Sequence, residues 1–524
     1  MRQAAILAGA SIFVRLLGFF YRIPITHLIG DKGNSFYNSA YLIYAIALNL
    51  SSVFMIATLS RLTSERIARG QYRNAHSLFK ISFLFSMTLG LAGTLIMFFG
   101  AAQIEWLLGS PEGTVVHTIR AISPAVFIVS MLTVFRGYFQ GMKTTVPTAI
   151  SQVVEQVFNV GFSLWLAYIF FGHGLEFAAA GAGAGTAIAA LAALTVVAFI
   201  YILRGKTIKQ RVDEDISGVI EKPSEQISAI VRTAYPMIIG LSVFALANSL
   251  DVSMSNNLIM ATGEFSEEQV GILVGQYTGK FSLFTTLPVS LSMALSAAVL
   301  PEITSAHVVL DEKSVRRKTN LALRLSMMIS FPAAIGLAVL ADPVISMLFP
   351  RHPEGGWLLK FGAISIVFLA VYYIITGVLQ GCGYVKLPIV GLFIGVLVKI
   401  ALNYLLLSVP SINILGAVIS TIACFIVAAA VNLFFLKKFI GVLPDFIATF
   451  IKPAAASVGM GVVCYFTYSL LRIISGNAVA TLGAIALGGI AYIILMALIR
   501  GFGEYELKAL PIPRKIRGWL GYYE

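Results

Sequence analysis

Long apolar runs, broken by short polar interruptions, follow one another along almost the whole chain. A helix that crosses a bilayer needs about 20 mostly apolar residues. That ruler places spans near 5–28, 36–60, 79–101, 117–141, 146–171, 178–203, 229–260, 272–300, 320–341, 358–381, 384–408, 412–436, 448–471 and 478–500. None of the runs shows the period-2 alternation of a barrel strand, and in lipid only a helix or a closed barrel satisfies its own backbone. The pattern predicts an all-α polytopic membrane protein with about fourteen transmembrane helices. The 229–260 and 272–300 runs are longer than a bilayer is thick, so they are expected to tilt or kink.

The polar interruptions set the domain organisation. The longest, 204–228, carries Asp213, Glu214, Asp215, Glu221 and Pro223 and divides six spans from eight. This predicts an N-terminal lobe over 1–203, a cytoplasmic linker over 204–228 and a C-terminal lobe over 229–440. A helix pair over 441–500 and a cytoplasmic tail over 501–524 follow. The two lobes repeat. Val134–Gly141, ending Gln140-Gly141, aligns with Ile374–Gly381, ending Gln380-Gly381, at an offset of 240, and Ser86-Met87 meets Ser326-Met327 at the same offset. Leu59–Ser64 aligns with Leu300–Ser305 at 241. Two six-helix lobes that start on the same side form a parallel pseudo-repeat, the arrangement in which transporters rock about a site near the midplane. The two C-terminal helices stand outside the repeat.

Composition agrees with lipid as the solvent. Only 12% of the 524 residues are charged and 58% are hydrophobic, against roughly 25% charged in a soluble protein. The net charge of +13 would suit a nucleic-acid partner if the basic residues clustered freely, but they sort by loop parity instead. Arg61, Arg66, Arg69, Arg73 and Lys80 follow the second span, Arg204, Lys206, Lys209 and Arg211 the sixth, and Lys313, Arg316, Arg317 and Lys318 the eighth. On the opposite side stand Lys32, Arg120, Arg351, Lys360 and Arg472. By the positive-inside rule both termini are cytoplasmic, and no nucleic-acid partner is expected.

Other chemistry is sparse. Cys382, Cys424 and Cys464 lie in apolar stretches and read as packing residues, and the six histidines have no metal-ligand spacing. Gly181, Gly183 and Gly185 fall within a helix and read as close helix packing. Tyr37, Tyr41 and Tyr44 follow helical spacing and read as packing too. No metal and no catalytic residue is expected.

The informative residues are charges where charge is expensive. A charge at the centre of a span costs about 3 kcal/mol on insertion scales, so such residues face a polar cavity or a partner. Arg15 and Arg22 sit two turns apart on one face of the first helix, where a cationic stripe suits an anionic headgroup. Snorkelling competes for Arg22, and an internal ion pair for Arg15. Lys280, eight residues before Pro288, reads as a cavity residue. Asp251 suits either a counter-charge to Lys280 or a coupling cation. Glu155 and Lys399 lie near Asn159 and Asn403 and read as ion-coupling residues or as members of helix-packing ion pairs.

The stretch Val14-Arg-Leu-Leu-Gly-Phe-Phe-Tyr-Arg-Ile-Pro24, with Ile29-Gly30, Gly33, Tyr37, Ala40-Tyr41, Leu59–Arg66 and Gly70-Gln-Tyr72, resembles the opening of the MurJ/SpoVB-type branch of the MOP (multidrug/oligosaccharidyl-lipid/polysaccharide) exporter superfamily. The repeated Gln-Gly turns, Leu287-Pro288 and Leu300-Pro301 extend the resemblance over essentially the whole chain. It implies a flippase for undecaprenyl-pyrophosphate-linked saccharides, lipid II foremost, in the bacterial cytoplasmic membrane. It also implies a cationic central cavity and a tail groove made by the last two helices. The family's basic residues carry over to Arg15, to Arg22 with a one-residue slip, and to Lys280 with a two-residue gap. The helix 2 acid and arginine of Gram-negative members do not carry over, for Phe36 and Ser51-Ser52 stand thereabouts. That departure points to the Gram-positive, spore-forming side of the family, whose members also export polysaccharides. A lipid-linked anionic saccharide and the cell-wall synthesis machinery are the partners implied. The one cofactor considered is a coupling cation, Na+ or H+, with Asp251 or Glu155 as its ligand. The rivals are a drug/cation antiporter of the same superfamily and, in a different class, a polyprenyl-phosphate-glycan membrane enzyme.

Overall fold

A computed structural model of the chain describes residues 2–215, 217–308 and 311–502. The expected tail over 501–524, with Lys508, Arg514, Lys515 and Arg517, lies from residue 503 onward outside the described residues. Those described form helices and no strands. They divide into two compact units, Met1–Gly275 and Gln276–Glu524. The polar stretch 204–228 lies inside the first unit.

The first unit holds α1 (Arg2–Ser51), α2 (Val53–Ala68), α3 (Tyr72–Phe99), α4 (Ala101–Leu107), α5 (Val116–Gly141), α6 (Val146–Phe170), α7 (Leu175–Leu203), α8 (Gly205–Asp213), α9 (Pro223–Ala261) and α10 (Glu267–Gly275). The second begins with a π-helical turn, Gln276–Phe281, and continues through α11 (Ser282–Val308), α12 (Glu312–Val339), α13 (Ala341–Leu348), α14 (Gly356–Gly362) and α15 (Ser365–Gly381). It ends with α16 (Leu387–Leu407), α17 (Leu415–Ile440), α18 (Lys452–Ile474) and α19 (Asn477–Leu498).

Among the described residues eleven helices are long and apolar enough to cross a membrane, or twelve if α14 and α15, bent by 53°, make one span. The expected fourteen is not reached, for two reasons. One run, Gly9–Ala68, takes in the first two expected spans. The expected eighth, 272–300, falls on the end of α10, the π turn and α11, which are not among the eleven.

The first of these reasons is a break rather than a missing helix. α1 is two helices meeting at Gly30, whose φ of 65° and ψ of −174° interrupt the helical backbone. Glycine carries no Cβ to oppose a positive φ, so the chain turns there. Rows of large apolar side chains stay exposed, among them Phe99, Ile202 and Leu203 in the first unit and Phe466, Ile473 and Leu498 in the second. Lipid-facing helices need such surface.

The sequence repeat has a packing counterpart inside each unit. A Cβ at Gly141 would lie 3.0 Å from Ser60 O and 2.6 Å from Thr63 Cβ, and one at Gly381 would lie 3.2 Å from Leu300 O and 3.3 Å from Ile303 Cγ2. Gly137 approaches Ile56 O, and Gly377 approaches Ser296 O, in the same way. Every one of these pairs is related by 240, so the 241 alignment of Leu59–Ser64 with Leu300–Ser305 shifts by one residue. The glycine run of α7 packs as expected, with a Cβ at Gly181 coming 2.7 Å from Leu166 O and one at Gly185 meeting Ser163 N, both on α6.

At the basic end of the first unit residues 212–215 and 217–221 are clasped onto α2 and α3. Arg66 gives Nε and Nη2 to Glu221 Oε2 at 2.9 and 2.7 Å. Asn74 exchanges hydrogen bonds with Val219 O and the Glu221 amide, at 3.0 and 3.1 Å. Asp215 accepts from the Ser217 hydroxyl and from the Arg73 amide, and these bonds hold its carboxyl below the usual carboxylate range.

Candidate functional site

The break at Gly30 brings the two halves of α1 together through a polar ladder centred on that residue. Thr26 and Asn34, each four residues from Gly30, are bonded by Asn34 Nδ2 donating to Thr26 Oγ1 at 2.8 Å. Arg22 and Asn38, each eight residues away, are bonded by Arg22 Nη1 donating to Asn38 Oδ1. One helical turn separates consecutive rungs on each half. Thr26, Asn34 and Asn38 are buried, so in a bilayer these bonds satisfy Asn34 Nδ2 and Asn38 Oδ1, while Asn34 Oδ1 and Asn38 Nδ2 have no hydrogen-bond partner among the described residues. Tyr37 lies under the Arg22 guanidinium, 5.4 Å from ring centroid to Cζ, a cation–π contact. Tyr37 also stacks on Tyr41, and Tyr41 contacts Tyr44, so the tyrosine series packs as expected and in addition supports the arginine.

Arg15, two turns before Arg22, is exposed on the same half-helix. The half-helix is seated on α6, where Ser11 Oγ donates to Gln152 Oε1 at 3.4 Å and Gly18 approaches Gln156 Nε2. The first unit therefore gathers two arginines on one stretch of α1, the second of them fixed by an amide and a ring.

Glu155, also on α6, has a defined partner. Arg136 of α5 gives Nη2 to Glu155 Oε2 at 2.6 Å and Nε to Ser151 Oγ at 2.9 Å. Glu155 is thus part of an ion pair between α5 and α6, with Arg136 as its counter-ion. Asp251, on α9 of the first unit, is 1% exposed.

Lys280, in the second unit, lies in the π-helical turn and is fully buried. Its ammonium donates to His352 O at 2.7 Å and Glu354 O at 2.9 Å and stands 5.6 Å from the Phe349 ring centroid. A π turn re-aims the side chains it carries, and here it aims a cation into the carbonyls of the 349–355 loop. Lys399, on α16, is buried near Asn403, which accepts from Ser420 Oγ. The structure thus brings Arg15 and Arg22 onto one half-helix and gives Glu155 and Lys280 identified partners. Sequence reasoning missed Thr26, Asn34 and Asn38. Their symmetric spacing about Gly30 was the available signal.

The family profile described as polysaccharide biosynthesis protein matches residues 1–307, and the MatE profile matches residues 243–405. Stage V sporulation protein B of Bacillus subtilis (strain 168) is 28% identical over 527 residues, covering 98% of each chain. Lipid II flippase MurJ of the same organism is 25% identical over 460 residues, covering 84% of this chain and 83% of the relative. A solved structure titled lipid II flippase MurJ, inward closed conformation, matches with a TM-score of 0.69 and 18% identity over 94% of this chain and 98% of that one. The fold is that of a multi-pass membrane protein of the MurJ and MATE type. With a profile that spans more than half of its length, the chain belongs to the polysaccharide biosynthesis protein family.

Proposed function

We propose that this chain is a flippase that moves a polyprenyl-pyrophosphate-linked saccharide across the bacterial cytoplasmic membrane by alternating access. The observation that carries the reading is the arginine pair on the broken first helix. Arg22 is held by Asn38 and Tyr37 with guanidinium donors left over, and Arg15 is exposed two turns away. An exposed arginine within a span belongs on a water-filled cavity rather than on lipid, and a planar guanidinium suits the oxygens of a phosphate. Relatives that carry the names lipid II flippase and sporulation protein point to a cell-wall or spore-wall precursor as the cargo. They are named for transport and sporulation rather than for catalysis. The pyrophosphate headgroup meets Arg15 and Arg22 while the polyprenyl tail stays in lipid. Lys280, in the second unit, donates to His352 O and Glu354 O. Glu155 is engaged by Arg136, and the buried Asp251 is the carboxylate assigned to a coupling Na+ or H+. Positive-inside orientation places both termini in the cytoplasm.

Complementation of a strain depleted of its lipid II flippase tests the reading, scored by labelling of the precursor at the outer surface. Wild type restores labelling, and Arg15→Ala with Arg22→Ala abolishes it at equal expression. Full labelling by the double variant would sink the arginine assignment. Failure of wild type, together with efflux of a cationic dye, would favour the drug/cation antiporter.

A further inference from the structure

The first unit carries a cavity at the end away from the basic clasp. α3 and α9 both run from the clasp toward it, and it opens beside the break in α1. Its volume is about 770 Å³, and its lining includes Lys32, Glu112, Asn256, Asn257, Glu267 and Glu268. That size lies within the range of small-molecule sites, roughly 300–1,000 Å³.

The walls are fixed. Glu105, buried on α4, accepts from the amides of Gly113, Val115 and Val116 at 2.9, 2.6 and 3.1 Å. It thereby orders the loop ahead of α5 and satisfies amides that a helix N-terminus leaves open. Asn256 of α9, 5% exposed, ties the far wall to this loop by donating Nδ2 to Leu108 O at 2.9 Å and to Ser110 Oγ at 3.4 Å. No hydrogen bond among the described residues falls on its Oδ1, which stays open as an accessible acceptor in the lining.

The lining is also unbalanced in sign. Glu112, Glu267 and Glu268 face one ammonium, Lys32, which lies 3.5 Å from Glu268. Ionised carboxylates and an amide oxygen only accept hydrogen bonds. Such a wall repels a phosphate and calls for a ligand rich in donors. Among the described residues no group of three or more His, Cys, Asp or Glu could hold a metal ion, which leaves hydroxyl and ammonium donors as the match.

We propose that this cavity binds a saccharide that is neutral or amine-bearing. The inference rests on the lipid-linked saccharide reading above and assigns to this cavity the sugar beyond the pyrophosphate. The molecule then separates its ligand by charge, with arginines on the first half of α1 for the anion and a carboxylate cavity for the glycan.

The test uses the full chain in detergent and a charge series of one sugar frame, glucosamine, glucose and glucuronate, followed by saturation-transfer NMR. Glucosamine should bind at least about tenfold more tightly than glucuronate, with glucose between them. The variant E112Q/E267Q, which changes two exposed side chains outside the arginine site, should weaken glucosamine about tenfold and flatten the series. Arg22→Gln should leave the series unchanged while weakening farnesyl pyrophosphate, measured on the same samples. Equal binding of all three sugars, no binding of any, or a series that survives in E112Q/E267Q overturns the cavity assignment. Unchanged farnesyl pyrophosphate binding in Arg22→Gln counts instead against the arginine site.

Discussion

Consider removal of the Arg136 charge. The Arg136 and Glu155 side chains are 7% and 30% exposed, and their closest N–O distance is 2.6 Å. Arg136→Leu leaves the carboxylate without its counter-ion and Ser151 Oγ without its donor. Breaking a buried pair from one side costs about 3–5 kcal/mol. The partial exposure of Glu155 lets solvent take up some of that charge, so the expected loss is about 2–3 kcal/mol. Since 1.4 kcal/mol is a factor of ten, the unfolding equilibrium should move by roughly 30- to 150-fold. Arg136→Leu with Glu155→Leu removes both charges and refills the space with apolar atoms, an exchange that is often neutral or stabilising. The double variant should therefore recover most of the loss, giving a coupling energy above about 1 kcal/mol. Equilibrium unfolding of the purified protein in mixed micelles, run as a four-member cycle, measures this. Strict additivity of the two single losses would falsify the pairing. If the double variant is stable yet inactive in complementation, Glu155 acts in the transport cycle as well.

Two further outcomes follow from partners the structure identifies. Lys280→Met keeps the aliphatic stem but removes the bonds to His352 O and Glu354 O, each worth about 1.5–3 kcal/mol net as a charge-assisted bond. Amide hydrogen exchange over 349–355 should quicken about tenfold or more, and an unchanged rate would show that the loop does not depend on the lysine. The Asp215 carboxyl is held low by the Ser217 hydroxyl and the Arg73 amide, so its contribution to the clasp is present above the ordinary carboxylate pKa of about 4 and is lost as pH falls through the depressed value. Protection of 217–221 from exchange should stay level from about pH 7 to pH 5 and decline only below about pH 4, and Asp215→Asn should remove that decline. A decline centred near neutrality would refute the assignment.

Much of the fold could be read from the chain because lipid imposes a simple rule. An apolar run long enough to cross had to be a helix, and the basic loops had to share a side. The glycine run of α7 could be read for a related reason, since small residues have few uses inside an apolar helix other than close approach. What escaped were pairings between residues distant in sequence. Nothing in the sequence marks Arg136, yet it is buried against Glu155, 19 positions on. Arg66 looked like one loop charge among several, but it holds Glu221 from 155 positions away. Lys280 escaped differently, since its partners are backbone carbonyls and carry no side-chain signature. The two arginines of α1 were found because charge is rare in a span. Asn38 was not, because an uncharged amide carries no charge that calls for a counter-ion or a cavity.

The ladder about Gly30 also behaves like a vernier. Both rungs are matched at one relative setting of the two half-helices, Thr26 with Asn34 and Arg22 with Asn38. A slide of one residue, about 1.5 Å, would unmatch both at once. Intermediate settings are therefore worse than either the matched state or one in which the halves have parted fully and found other partners. The first helix should move in steps rather than by continuous creep, and Arg22 should be released in the same event that frees Asn34.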